Sequence, residues 1–155
     1  EFYLKIIFLF SFIALISAFF IEHILGHQPC NLCLIERIPY GLSIMIIMAI
    51  FLIRKNQKFL VMLLILTFIF SFAISFYHFG IEQGFFQESS VCGVKSSTEI
   101  VTKKDLLKQL SERTISCKDV TFRIFGLSLT SINIVISLLF IITLLKIFKK
   151  YEKNK

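Results

Sequence analysis

Four cysteines are the residues of this chain best suited to chemistry, and their spacing divides them into two kinds. Cys30 and Cys33 stand in the run Gln28-Pro29-Cys30-Asn31-Leu32-Cys33, a Cys-x-x-Cys, with Arg37 close behind, whereas Cys92 and Cys117 lie far apart in a polar stretch. A Cys-x-x-Cys disulfide closes so short a loop that it removes little chain entropy, which makes it a poor staple and a good redox group. Cys33 precedes the expected start of a helix, where unpaired backbone N–H groups carry partial positive charge. That helix end and the Arg37 guanidinium both favour its thiolate, the reactive species. A purely structural disulfide and a zinc site are the competing readings. The second pair does not repeat the Cys-x-x-Cys, so zinc-ribbon spacing is absent, and c-type haem attachment would need His where Leu34 stands. Cys92 and Cys117 taken alone read as a clamp on a long loop. Beside Cys30 and Cys33 they suggest a relay, because disulfide exchange needs one sulfur to reach another and a long loop supplies that reach.

The elements that must position these cysteines are membrane spans. Of the 155 residues 56% are hydrophobic, with 19 Phe and no Trp, and the mean hydropathy is +0.82, too apolar for a soluble domain of this length. Apolar runs fall at about 4–25, 34–53, 59–79 and 125–145. At ~1.5 Å per helical residue the first reaches roughly 33 Å, enough for a ~30 Å hydrocarbon core. The second is the shortest and extends back toward Cys33, with Pro39 suited to a first helical turn. The fourth carries Ser128, Thr130, Ser131, Asn133 and Ser137, the small and polar kinds that pack helices in lipid. The expected fold is therefore all-α: one integral membrane domain over residues 1–155, a four-transmembrane-helix bundle. Its external loops are expected at about 26–33 and, between the third and fourth helices, at about 80–124. A cleavable signal peptide is the alternative for the first run, opposed by its length and by the lack of a small-residue cleavage site. Within the long loop Thr102 and Asp105 suit the start of a short surface helix, with Val101, Leu106, Leu107 and Leu110 on one side; a solvated loop is the alternative.

A net charge of +7 would suggest nucleic acid in a soluble protein. Here Lys146, Lys149, Lys150, Lys153 and Lys155 follow an apolar run, and Arg54, Lys55 and Lys58 occupy a turn between two others, which is the pattern of cytoplasmic ends. Membrane lipid and no nucleic acid is the expected surroundings, with both termini cytoplasmic and all four cysteines on the other side. Arg37 then lies near the interface, where an arginine is a functional candidate by default; snorkelling, or pairing with Glu36 or Glu22, is the plain alternative. Its functional use would be to hydrogen-bond a quinone carbonyl and stabilise developing negative charge. His78, ending the third span, is placed to do likewise or to deliver a proton, or merely to anchor the helix; His23 and His27 are weaker candidates.

Taken together, these residues resemble the DsbB family of quinone-linked membrane proteins of disulfide bond formation. The likeness runs along the whole chain: the segment from Gln28 to Tyr40 that holds Pro29, Cys30, Cys33 and Arg37, the segment Tyr77 to Gln83 ending the third span, Cys92 and Cys117 in the loop, and Phe125 to Thr130 opening the fourth. It departs in having no Trp and in placing Thr130 where many relatives have Pro. The resemblance implies a bacterial inner-membrane oxidoreductase in which Cys92 forms a mixed disulfide with a DsbA-like thioredoxin-fold protein and Cys117 is its loop partner. Cys30 with Cys33 would receive the electrons, and Cys33 would face ubiquinone or menaquinone in a site lined by Arg37 and His78. A partner at about −120 mV is reoxidised only by an acceptor of high potential, which a quinone pool provides.

Three other functions compete. A thiol enzyme resembling vitamin K epoxide reductase shares the four-helix scaffold, but its Cys-x-x-Cys is expected late in the chain. A non-enzymatic membrane subunit would use the disulfides only to brace its loops, and a metal-handling protein would bind zinc or copper stoichiometrically.

Overall fold

The structure is a computed structural model and describes residues 2–53, 56–87, 92, 117, 123–124 and 127–153. Four long helices dominate it: α1 (Phe2–His23), α2 (Asn31–Leu52), α3 (Gln57–Glu82) and α4 (Leu129–Lys153). Each is long and apolar enough to cross a membrane. Uninterrupted apolar sequence becomes helix in lipid because only there does every backbone N–H and C=O find its partner within the segment. The protein is an all-α, four-helix membrane bundle with a long connection between α3 and α4.

The second and fourth helices begin elsewhere than their hydropathy suggests. The helix α2 starts at Asn31, so Pro39 lies more than two turns inside it rather than in the first turn, a position that membrane helices tolerate because neighbouring groups satisfy the freed carbonyl. The helix α4 starts at Leu129, after the two-residue strands β1 (Arg123–Ile124) and β2 (Leu127–Ser128), which pair antiparallel with Arg123 opposite Ser128. Its start is fixed by Ser128, whose Oγ accepts the backbone N–H of Ser131 at 3.2 Å and satisfies a donor at the open helix end. The expected surface helix around Thr102 and Asp105 lies outside the described residues, as do Arg54, Lys55 and Lys155.

The helix α3 is central, packing against both α2 and α4, while α1 packs on α2. Large apolar side chains such as Leu9, Phe12, Met45, Phe70 and Leu139 face outward, as expected where lipid rather than water surrounds the bundle. Association in lipid depends on close packing and interhelical hydrogen bonds, and the inward residues supply both. Ser43 donates to Ser11 at 2.9 Å between α2 and α1, and Ser71 shares a hydrogen bond with Ser137 at 3.1 Å between α3 and α4. One aromatic ring from each helix joins a chain of edge contacts, from Tyr40 to Phe68 to Phe140 to Phe10. Below it Leu4, Ile7, Ile47, Ile50, Leu64 and Leu144 form an apolar core; above it a second cluster of Cys30, Leu32, Ile81, Cys92 and Cys117 forms the other end.

At that second end, Phe86 folds back over Gly80, where a Cβ would meet its ring at 2.1 Å, and its ring stacks on Tyr77. The missing side chain at Gly80 thus lets the chain leaving α3 turn across the helix ends.

Ser71 is fully buried at the seam between α3 and α4. Replacing it with Leu should overpack that seam and cost about 1–3 kcal/mol, seen as a lower thermal melting point in detergent; an unchanged melting point would contradict the packing described.

Candidate redox site

The site is built from the start of α2 upward. Cys30 is the residue that caps α2: its backbone is extended at φ −71°, ψ 166°, and its Sγ accepts the backbone N–H of Cys33 at 3.2 Å. Both Cys30 and Cys33 are free thiols, Cys30 buried and Cys33 half-buried. The helix end expected to act on Cys33 therefore acts on Cys30, because α2 begins before Cys33 rather than after it. Arg37 does not reach the thiols either. Its Nη1 donates to the Glu22 carboxylate of α1, and its guanidinium lies 5.4 Å from the Phe19 ring centre.

Cys92 and Cys117 form a disulfide with Cα atoms 5.4 Å apart, and both are almost wholly buried. This bond is held against the start of α2. The Sγ atoms of Cys30 and Cys117 and a ring nitrogen of His78 all lie within 4.8 Å of one another. Those residue types also suit a metal, but a sulfur engaged in a disulfide is not a thiolate ligand. In this state the three groups form a junction between two cysteine pairs.

Behind the junction a polar network crosses the bundle. His78 Nε2 lies 3.7 Å from Cys30 Sγ, and His78 Nδ1 lies 3.0 Å from Glu36 Oε1. Glu36 Oε2 accepts from Asn133 Nδ2 at 3.4 Å; the same amide donates to Ser75 Oγ at 2.7 Å, and Asn133 Oδ1 accepts from the Tyr40 hydroxyl. On the other side Thr130 Oγ1 donates to Glu82 Oε1 at 2.7 Å and stands 3.3 Å from His78 Nδ1. The expected Arg37 and His78 are thus separated: His78 serves the cysteine junction, while Arg37 faces a cavity.

That cavity, of about 290 Å³, lies between α1, α2 and α4. Its walls are mainly apolar, from Phe10, Ala14, Leu15, Ala18, Ile21, Ile132 and Ile136, with Cys33, Glu36, Arg37, Tyr40 and Asn133 among them and His27, Gln28 and Pro29 at the loop. It exists because α1 and α4 make few contacts while both pack on other helices. An apolar ring bearing carbonyl oxygens suits such walls, since Arg37 retains donors beyond the one given to Glu22 and the thiol of Cys33 is in the lining. His78 is not among the lining residues, and its Nε2 faces Cys30. The sequence offers Glu36 only as a pairing partner for Arg37, Asn133 only as a packing residue, and Thr130 as a packing residue and a departure from the family pattern. Tyr40 carried no role. Glu36 is adjacent to Arg37 and one turn from Cys33, and that helical spacing is the signal that could have found it.

The family described as Disulfide bond formation protein DsbB matches residues 1–147. An uncharacterized protein of Rickettsia prowazekii (strain Madrid E) is 31% identical over 147 residues, covering 94% of this chain and 86% of the relative.

A hydrogen bond from the Cys33 thiol, together with the contact to His78 and the Cys33 backbone N–H, outweighs burial and lowers the pKa of Cys30 to about 5. In the reduced protein, alkylation at Cys30, mapped by peptide mass spectrometry, should therefore rise with pH through about 5 and level off above it. Cys33→Ala should move that midpoint upward, toward the ordinary thiol value of about 8.5. An unaltered chain that titrates like a free thiol would contradict the geometry.

Proposed function

Because this chain belongs to the DsbB family of disulfide bond formation proteins, we propose that it reoxidises a DsbA-like thioredoxin-fold protein. Electrons would pass through Cys92–Cys117 and then Cys30–Cys33 to a membrane quinone, either ubiquinone or menaquinone. The observation that carries this reading is the junction of Cys30, Cys117 and His78 within 4.8 Å. Two cysteine pairs distant in sequence meet there sulfur to sulfur, the arrangement exchange requires.

Each cysteine then has one task. A thiolate of the partner attacks Cys92, and the Cys92–Cys117 bond breaks, releasing Cys117 as thiolate. Cys92 is 1% exposed, so docking of the partner has to uncover it. The Cys117 thiolate attacks Cys30 when Cys30 and Cys33 are joined, forming Cys30–Cys117 and releasing Cys33 as thiolate. The partner's second thiol resolves its bond to Cys92, and Cys92 in turn attacks Cys117, which restores the loop disulfide and leaves Cys30 and Cys33 reduced. That final arrangement is the one in the structure.

The quinone supplies the two-electron acceptor that draws this sequence forward. Cys33, in the cavity wall, would reduce it, and Arg37, which keeps donors beyond the one given to Glu22, would hold a carbonyl oxygen. The orientation proposed puts the cysteine end on the periplasmic side of a bacterial inner membrane. It is supported by the basic residues at the opposite end of the bundle, Lys58 at the start of α3 and Lys146, Lys149 and Lys150 near the end of α4.

The test is quinone reduction by the purified protein in detergent, driven by a reduced thioredoxin-fold dithiol oxidase. Cys33→Ser and Cys92→Ser should each abolish turnover while the protein remains folded, Cys92→Ser melting lower because the loop disulfide is lost. Turnover equal to that of the unaltered chain in either variant would refute the relay.

A further inference from the structure

Cys30, His78 and Glu36 stand in line across two helices, and the order of their atoms is informative. Glu36 Oε1 meets His78 Nδ1 at 3.0 Å, and His78 Nε2 meets Cys30 Sγ at 3.7 Å. A histidine that gives its Nδ1–H to a carboxylate presents Nε2 to the group opposite, and the carboxylate stabilises the imidazolium formed when Nε2 takes a proton. The arrangement is that of an activated nucleophile: thiol, base and a third group that orients the base. All three are largely shielded from water, with exposures of 5% for Cys30, 3% for His78 and 12% for the Glu36 side chain, so their mutual interactions are little screened.

We infer that Glu36 is a positioning residue which, through His78, makes Cys30 the exchanging sulfur of the Cys-x-x-Cys. The inference rests on the relay proposed above and adds to it the device that directs exchange to Cys30 rather than Cys33. In the relay's last exchange the Cys92 thiolate attacks Cys117, the Cys92–Cys117 bond forms, the Cys30–Cys117 bond breaks, and Cys30 leaves as a thiolate stabilised by the His78 imidazolium that Glu36 holds. Run backward, the Cys30 S–H proton passes to His78 Nε2 and the thiolate attacks Cys117, with Cys92 leaving. No electrons are gained or lost overall.

Among the described residues, the titratable groups packed about Cys30 and His78 are Cys33 and Glu36 from α2, Tyr77 and Glu82 from α3 and the disulfide-bonded Cys117 of the loop; Thr130 and Asn133 of α4 do not titrate. Glu82 is the rival carboxylate. It lies 3.9 Å from His78 Nε2, on the face that Cys30 occupies, and it is already engaged by Thr130. That placement suits competition with Cys30 and not orientation of the ring.

The experiment measures the pH profile of Cys30 alkylation in the full-length reduced protein, by peptide mass spectrometry, for the unaltered chain and for Glu36→Gln, Glu36→Asp, His78→Ala, Glu82→Gln and the Glu36→Gln/His78→Ala pair. Glu36→Gln and His78→Ala should each raise the midpoint by about one unit, a roughly tenfold loss of thiolate below it. The double variant should go no further than His78→Ala, and Glu36→Asp should restore part of the shift. A midpoint unmoved by Glu36→Gln, or one moved by Glu82→Gln instead, overturns the inference. Should Glu36→Gln fail to fold, nitrogen NMR of the labelled histidines in the unaltered chain decides. Nε2 of His78 must respond when Cys30 is alkylated while Nδ1 keeps its proton; an Nε2 indifferent to Cys30 overturns the inference. Neither readout needs partner or quinone, so failure here is distinguishable from failure of the relay.

Discussion

A carboxylate enclosed between helices in a membrane has to be satisfied by its neighbours, and Glu36 is the group around which one end of this bundle is arranged. An uncompensated buried charge costs several kcal/mol; here the imidazole of His78 and the amide of Asn133 take up the two oxygens. Meeting that demand ties α2 to α3 and α4 at once. Asn133 carries the connection on to Ser75 and Tyr40, so the polar groups that hold the helices together are the same ones that set the chemistry beside them. The opposite end, built from Leu, Ile and Val, has no such double duty.

The first turn of α2 divides the labour of the two neighbouring thiols. Cys30 caps the helix and faces the loop disulfide, whereas Cys33 sits one turn further and lies in the cavity wall. A single backbone geometry thereby gives two sulfurs two different surroundings, one polar and joined to the loop, the other bordering an apolar chamber. Glu36 touches both, since it lines the cavity and bonds His78.

What could be read from the sequence was what runs along it. Apolar runs and a Cys-x-x-Cys are one-dimensional signals, and they led to the four helices, the bundle and the family. What could not be read was set by small shifts and distant pairings. A helix start displaced by about three residues, within the ordinary uncertainty of boundaries, moved the helix end from Cys33 to Cys30. Glu36 passed as the flank of a motif because its partner, His78, is 42 positions away. Arg37 was weighed for both a functional role and a pairing with Glu22; the structure has it in that pair and in the cavity lining together. Thr130, one of the departures from the family pattern, sits against Glu82 and His78, so the difference falls inside the site and is not a surface variation.

The loop disulfide has a consequence for selectivity. Both of its half-cystines are enclosed, at 1% and 2% exposure, and the rate at which a disulfide is reduced depends on access to its sulfurs as much as on potential. On the proposed relay, free low-molecular-weight reductants such as glutathione would reach these sulfurs slowly, and idle turnover, in which an acceptor is consumed without any protein being oxidised, would be held down by shielding. Discrimination among electron donors would then be kinetic, a matter of which molecule can reach the enclosed sulfurs, and would require no difference in driving force.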